Sequence, residues 1–182
     1  MNNLVVDIFR DIVLEVENKI GYPVNYQFGD WSYMAKILAG MSKTPVASAN
    51  KYPLIGLFSP FVENRTDYKV TSVSLKFIIA TVTKKDYTNE ERLENSFKSI
   101  LHPVYNTFIE EIKKSRAIQK NAQNIVKHKY VDNYRYGSYG IYGDGERKFD
   151  DAIDGIDISD MELEIKNNLN CKRNETIQRL RK

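Results

Sequence analysis

The sequence predicts an α+β fold, in which a mainly antiparallel four-stranded sheet carries an N-terminal helix and a long kinked helix on one face. Two long segments repeat apolar residues at three- and four-residue steps, as amphipathic helices do. Four shorter segments are alternating or continuously apolar, which is typical of strands. The order along the chain is helix, strand, short helix, strand, strand, long helix, strand. Such an order favours antiparallel strand pairs with helices stacked beside the sheet.

Size and composition limit the classes of protein that this chain can represent. Its 182 residues suffice for one domain with a proper core and are short for two. The single cysteine, Cys171, excludes an internal disulfide, which fits a reducing compartment. No apolar run approaches the roughly 20 residues that span a bilayer. The N-terminal segment carries acids where a signal peptide carries bases, so we expect neither secretion by that route nor a membrane anchor.

The first helix and the first strand follow from simple periodicity. The helix is predicted over residues 3–19, with Asn2 or Asn3 placed to cap its start and Gly21 its end. Apolar and polar residues then alternate over 24–28, which predicts a strand with one buried face.

A short helix and two strands come next. Asp30 is the expected N-cap of a helix that Gly40 ends, and the polar residues 41–51 form a connector. The continuous apolar run YPLIGLF, residues 52–58, is too short for a helix and predicts a strand covered on both faces. Residues 70–83 predict a long strand that is exposed on one side at its start and buried on both sides later.

Residues 89–115 form the most regular predicted helix. Thr88 and Glu91 have the spacing of a capping box. Pro103 lies inside the apolar stripe, where it removes a backbone donor and clashes with the carbonyl of Ser99. We therefore expect a kink at this position.

The last strand, GIDISDMELEIK, contains a change of phase. Its apolar residues occupy even positions at first and odd positions later: Ile156 and Ile158, then Met161, Leu163 and Ile165. A bulge near Ser159 and Asp160 would place both sets on the core face.

Between the long helix and the last strand, residues 116–155 predict an extended linker and a Tyr/Gly-rich arm. The stretch YVDNYRYGSYGIYGDG holds five tyrosines and four glycines. Three explanations compete: a stacking platform for nucleic acid, the wall of an active site, or an arm that grips another subunit. Tyrosine supplies contact area with few torsions to freeze, and glycine lets the backbone follow a neighbour's surface, which favours the third. The candidate interface residues are Tyr134, Arg135, Tyr136, Tyr139 and Tyr142.

The residue types that carry chemistry form no recognisable catalytic pattern. His102 lies in the helix stripe and His128 in a basic linker, and one cysteine allows no metal cluster of the usual spacing. Acids recur at every third residue, at Asp151, Asp154, Asp157 and Asp160. Their spacing differs from that of the calcium ligands in an EF-hand. Acids along a solvent-exposed strand edge are therefore a better explanation than a calcium site. An enzyme is the weakest interpretation, and no cofactor is expected.

Positive charge is concentrated in a C-terminal tail, residues 167–182, while residues 1–166 are close to neutral. The basic residues of the tail are Lys172, Arg173, Arg179, Arg181 and Lys182, against one acid, Glu175. Together with the tyrosines, they leave open a nucleic-acid-binding accessory protein as the alternative function. The arm, however, carries several acids, and a surface that binds phosphates should be distinctly basic.

The order of these elements over residues 1–166 resembles the tail-terminator and neck proteins that join head to tail in tailed phages. The matching parts are NNLVVDIFRDIV, NYQFGDW, YPLIGLF, the strand and helix from VSLKFIIATVT to NTFIEEIKKS, and GIDISDMELEIK. The segments RLENSFKSILHPVYNTFIEEI and DNYRYG are also similar to segments of proteins carried by phages and prophages of gut Bacteroidales, including crAss-like phages. The long arm and the basic tail depart from compact tail terminators.

This resemblance implies a structural virion protein without turnover, assembled in the host cytoplasm. It implies a homo-oligomeric ring, six- or twelve-fold, in the neck or tail connector between portal and tail. Its neighbours would be portal, ring or tail proteins, and genomic DNA would pass through the lumen without specific binding. The arm would grip the next subunit, and the basic tail would dock on an acidic neighbour or on DNA.

Deleting residues 167–182 should leave the melting temperature nearly unchanged. The tail follows the last predicted core strand, and its few apolar residues show no sustained period. Thermal melting of the truncated and full-length chains tests this, and a fall of many degrees would show that the tail packs on the domain.

Overall fold

A computed structural model describes residues 4–65, 67, 69–134 and 151–167, and within these ranges the chain has the predicted mixed α+β architecture. The helices are α1 (Val5–Ile20), α2 (Trp31–Met41), α3 (Pro45–Ala49), α4 (Asn89–Arg92) and α5 (His102–Lys114). A π-helical segment, Leu93–Leu101, joins α4 to α5. The strands are β1 (Asn25–Gly29), β2 (Leu54–Phe58), β3 (Val62–Asn64), β4 (Val70–Val82), β5 (Lys129–Asn133) and β6 (Ile153–Lys166).

The described strands form one six-stranded sheet in the order β1-β2-β4-β6-β5, with β3 on the first half of β4. Every pair is antiparallel except β1 with β2, so the prediction of a mainly antiparallel sheet is confirmed. The predicted number of four strands is wrong. The short β3 lies between the strands predicted over residues 52–58 and 70–83, and β5 lies in the segment predicted to be linker and arm. Both are largely exposed, so neither shows an alternation of apolar and polar residues, from which a half-buried strand is predicted.

The pairing of β4 with β6 confirms the predicted bulge. Leu75 lies opposite Met161 and Phe77 lies opposite Ile158, so Ser159 and Asp160 together face one residue of β4. Asp160 has a φ of 52°, the left-handed conformation that aspartate tolerates better than most residues. Apolar side chains on both sides of the bulge therefore join the same core.

Helices α1 and α5 cover one face of the sheet, as predicted. Phe9 of α1, Phe77 of β4 and Phe108 of α5 form the centre of this core, with ring centroids 4.7 to 6.0 Å apart. All three side chains are fully buried. Aromatic contacts of this kind add stabilisation beyond the area they bury, so these rings hold the two helices against the sheet.

Among the described residues, α2 covers part of the opposite face. Leu38 packs there on Ile78 and Ala80, whereas the first half of β4 leaves alternate residues exposed. This confirms the predicted change from one buried face to two along β4. Gly56 allows the close approach of α2, because a Cβ there would lie 2.9 Å from the Ile78 side chain and 3.1 Å from the sulfur of Met34.

The predicted caps mostly agree with the structure. Gly21 ends α1 in the left-handed conformation, and the Asp30 carboxylate accepts a hydrogen bond from the backbone N–H of Tyr33 at the start of α2. Helix α2 continues one residue beyond Gly40, and α3 lies within the predicted connector. Leu4 occupies the N-cap position of α1, while Asn2 and Asn3 lie outside the described residues.

The long helix begins with the predicted capping box between Thr88 and Glu91. The segment Leu93–Leu101, which ends two residues before Pro103, is π-helical instead of α-helical. The backbone N–H of His102 accordingly bonds to the carbonyl of Phe97, five residues earlier. The wider turn accommodates the proline while the helix continues to Lys114.

A fully buried ion pair ties the start of this helix to the sheet. The Arg92 guanidinium donates to the Asp154 carboxylate at 2.9 Å, and both side chains are 0% exposed. Arg92 also donates to Thr83 Oγ1 and to the carbonyls of Tyr87 and Lys84. These contacts join β4, the following loop, the helix and β6 at one point.

Tail residue Asn167 makes contacts with the fold. Its backbone N–H donates to the Lys69 carbonyl at 2.8 Å, and its side-chain oxygen accepts from Thr71 Oγ1 at 2.8 Å. A truncation that keeps Asn167 therefore removes the basic residues without touching these bonds.

Replacing Arg92 with methionine should cost about 3–5 kcal/mol of unfolding free energy, because the buried carboxylate of Asp154 loses its charged partner. The double replacement R92M/D154L should recover much of that loss. Urea denaturation measures both effects. Lys98→Met on the same helix is the matched control, since its pair with Glu94 is exposed and should contribute less than about 1 kcal/mol. Equal effects of R92M and K98M would contradict the assignment.

Candidate subunit interface

The arm starts and ends at one end of the β5–β6 pair. Asn133 of β5 lies opposite Gly155 of β6, so the chain leaves the sheet after Asn133 and returns beside it. Among the described strands, β5 pairs with β6 alone and is therefore an edge of the sheet. The segment that holds the arm tyrosines is thus the connection between an edge strand and its neighbour.

Side chains of β5 and its flanking residues divide into two rows, because successive residues of a strand point to opposite faces. The row on the helix side contains His128, Tyr130, Asp132 and Tyr134. The opposite row contains Lys129, Val131 and Asn133. In that second row, Lys129 pairs with Asp160 at 2.7 Å and Asn133 donates to Asp157 at 3.1 Å. The two rows therefore anchor β5 differently, with aromatic packing on one face and polar bonds on the other.

Tyr134 lies at the root of the arm, and its ring stacks on Phe97 of the π-helical segment. The ring centroids are 4.3 Å apart and the planes are inclined by 30°. Burial raises the pKa of Tyr134 above the ordinary value of a phenol. The surface of Tyr134 that covers Phe97 is thus occupied within the monomer, and its role as a subunit contact stays a prediction.

Tyr105 of α5 joins the helix layer to two residues of the β5 row. Its ring meets Tyr130 edge-on at 4.8 Å, and its hydroxyl lies 2.9 Å from Nε2 of His128. Nδ1 of His128 lies 2.9 Å from the carbonyl of Val126, which can only accept. In the neutral imidazole, Nδ1 therefore carries the proton and Nε2 accepts from Tyr105.

Asp132 completes the row as the hydrogen-bond acceptor of Tyr130. The Tyr130 hydroxyl donates to Asp132 Oδ1 at 2.5 Å, and His102 Nε2 of α5 lies 3.5 Å from the same oxygen. Burial, followed by the bond to Asp132, raises the pKa of Tyr130. The two histidines, which the sequence places in unrelated segments, thus belong to one helix–strand cluster of seven residues. We call it the arm-root cluster: Phe97, His102, Tyr105, His128, Tyr130, Asp132 and Tyr134.

The four evenly spaced acids bond to different partners. Asp151 accepts from Lys51 and Tyr52, and Asp154 accepts from Arg92. Asp157 and Asp160 bond to β5, as described above. The prediction of a solvated strand edge is wrong, because β6 lies between β4 and β5 and Asp154 is fully buried. Within the described ranges, no three side chains of His, Cys, Asp or Glu come together as a metal site.

A groove of about 520 Å³ lies between the end of α5, strands β3 and β4, and the chain from Ile118 to Lys127. Its floor includes the apolar side chains of Val73 and Leu163. Lysines and glutamates stand among its described lining residues, which include no histidine, cysteine or aspartate.

Tyr134 is the one predicted interface residue within the described ranges. Arg135, Tyr136, Tyr139 and Tyr142 lie outside them, as do the predicted tail-docking residues Lys172, Arg173, Arg179, Arg181 and Lys182. Sequence reasoning missed the arm-root cluster itself. The signal was the alternation of His128, Tyr130, Asp132 and Tyr134 at every second position.

The chain matches no protein-family model, and neither a curated protein nor a solved structure is significantly similar to it. No helix in the described part of the chain combines the length and apolarity that a membrane span requires.

Replacing Tyr134 with serine should lower the unfolding free energy by about 1–3 kcal/mol, because the replacement uncovers Phe97 and removes a ring contact. Val131→Ser, on the opposite and exposed face, is the matched control and should change stability by less than about 1 kcal/mol. Chemical denaturation of both variants measures the difference. Equal stability of Y134S and the parent chain would show that the stack contributes nothing.

Proposed function

We propose that this protein is a structural subunit of a tailed phage, which forms a closed ring in the neck or tail connector between portal and tail. The order of elements over residues 1–166 supports this proposal through its resemblance to tail-terminator and neck proteins. The arm on an open sheet edge supports it independently, since a subunit of a ring needs a surface that grips the next copy.

The root of the arm is the observation that carries the proposal. Tyr134 rests on Phe97, Tyr130 rests on Tyr105, and Asp132 accepts a hydrogen bond beside them. A segment that starts from such a fixed base loses less conformational freedom on binding than one attached to a loose loop. The tyrosines that follow, Tyr136, Tyr139 and Tyr142, can then supply contact area to a neighbouring copy.

The positive charge of the C-terminal tail indicates the kinds of partner it would bind. The basic tail, with Lys172 and Arg173 at its start and Arg179, Arg181 and Lys182 at its end, would dock on an acidic portal, ring or tail protein, or on DNA. Genomic DNA would pass through the lumen without specific contacts. The protein would act in the virion without a cofactor and without turnover.

A nucleic-acid-binding accessory function is less well supported than the ring. The aromatic rings of the arm-root cluster pack against one another, Tyr134 on Phe97 and Tyr130 edge-on to Tyr105, and Asp132 places a carboxylate among them. Base stacking requires free aromatic faces and phosphate binding requires basic ones.

Replacing Tyr136, Tyr139 and Tyr142 with serine should abolish the ring and leave the monomer stable. Truncating interface aromatics commonly costs around 2 kcal/mol or more each, and a few dominate an interface. Native mass spectrometry and negative-stain imaging of the purified chain measure the ring, and thermal melting measures the monomer. Tyr134 is kept in this variant because it packs within its own chain.

Two results would contradict the proposal. One is a parent protein that stays monomeric at every concentration. The other is tight, sequence-dependent DNA binding at physiological salt, which would favour a nucleic-acid-binding protein. Binding that comes only from the few basic side chains of the tail should instead fall steeply between low and physiological salt.

A further inference from the structure

We propose that neighbouring copies join edge to edge, with β5 of one copy pairing with β1 of the next, so that the sheet continues around the ring. This inference rests on the proposed ring. In the described part of the chain, β1 and β5 are the two ends of the sheet order, and no described strand pairs with the outer edge of either. An open strand edge presents backbone donors and acceptors that another strand can satisfy.

The strand directions fit this pairing. Strand β1 is parallel to β2, and each of the next three pairs in the order is antiparallel, so β1 and β5 run in opposite directions. A copy placed beside the first with its sheet in the same orientation brings its β1 antiparallel to β5. Such a contact uses two different edges, and contacts of this head-to-tail type form a closed ring when the rotation between successive copies adds up to a full turn.

The lengths of β1 and β5, and the faces on which their side chains lie, also fit this pairing. Each strand has five residues, and full overlap places Gln27 of one copy opposite Val131 of the other. Tyr26 belongs to the helix-side face of β1, since its hydroxyl donates to the Val6 carbonyl of α1 at 3.1 Å. This register therefore sets Tyr26 and Phe28 beside the helix-side row of β5, and Gln27 beside Val131 on the other face.

The side chains at the two edges are compatible. Phe28 is 40% exposed, Tyr130 is 36% exposed and Val131 is 53% exposed, so apolar surface is available on both sides. In the stated register Phe28 lies opposite Tyr130, and an aromatic cross-strand pair is one of the favourable kinds. Strand β1 contains no charged residue, so Lys129 and Asp132 of β5 meet no like charge on it.

Disulfide trapping tests the pairing. In a C171S background, the double variant Q27C/V131C places two thiols directly opposite each other across the contact. The Cα atoms of directly opposed residues in an antiparallel pair lie about 4.5–5.5 Å apart, within the Cα–Cα range that a disulfide spans. Mild oxidation of the assembled protein should link most chains into a ladder of oligomers on a non-reducing gel, and reduction should return them to monomer.

Three controls make the result specific. Each single-cysteine variant lacks a partner thiol across the contact and should give no ladder. The pair F28C/V131C places its thiols on opposite faces of the sheet and should also give none. Thermal melting shows whether each variant keeps the fold, as expected for exposed positions.

The outcomes separate this inference from the proposed function. A ring by native mass without a Q27C/V131C ladder overturns the edge pairing and leaves the ring in place. A chain that is monomeric by native mass and gives no ladder overturns both. A ladder of equal yield from F28C/V131C contradicts a defined register and overturns the pairing as stated.

Discussion

The antiparallel pairing of β4 with β6 is the constraint on which the rest of this structure depends. These strands of 13 and 14 residues form the centre of the sheet, and each of the other described strands pairs with one of them or with β2. The bulge at Ser159 and Asp160 keeps the apolar side chains of β6 on the core face along its whole length. Without it, half of β6 would present acids to α1 and α5, because a one-residue shift reverses the faces of a strand.

The buried pair of Arg92 and Asp154 connects this central pair to the long helix. A buried ion pair contributes little net stability compared with apolar side chains of the same volume, yet breaking one partner is costly. Here the guanidinium also satisfies backbone carbonyls in the loop between β4 and the helix. The π-helical segment that follows presents Phe97 to Tyr134, so the position of the helix sets the position of Tyr134 at the root of the arm.

The proposed ring unites several features that the monomer alone does not require. The sheet has two open edges with opposite strand directions among its described strands. Next to one of these edges, tyrosines follow an arm root whose aromatic side chains already pack on the helix layer. A protein that worked alone would gain nothing from exposing apolar side chains on both edges, whereas a subunit in a closed ring buries them.

The sequence by itself determined the local features of this protein. The caps at Asp30 and Thr88, the change of phase in β6 and the α+β class were predictable because each depends on residues a few positions apart. Only the tertiary structure decided the six-stranded sheet, the arm-root cluster and the partner of Asp154. Strand β5 is exposed and lacks a buried face, so its pairing comes from the open edge of β6. Arg92 and Asp154 are 62 positions apart in the sequence. The periodicity of one segment does not predict which distant segment it will contact in the fold.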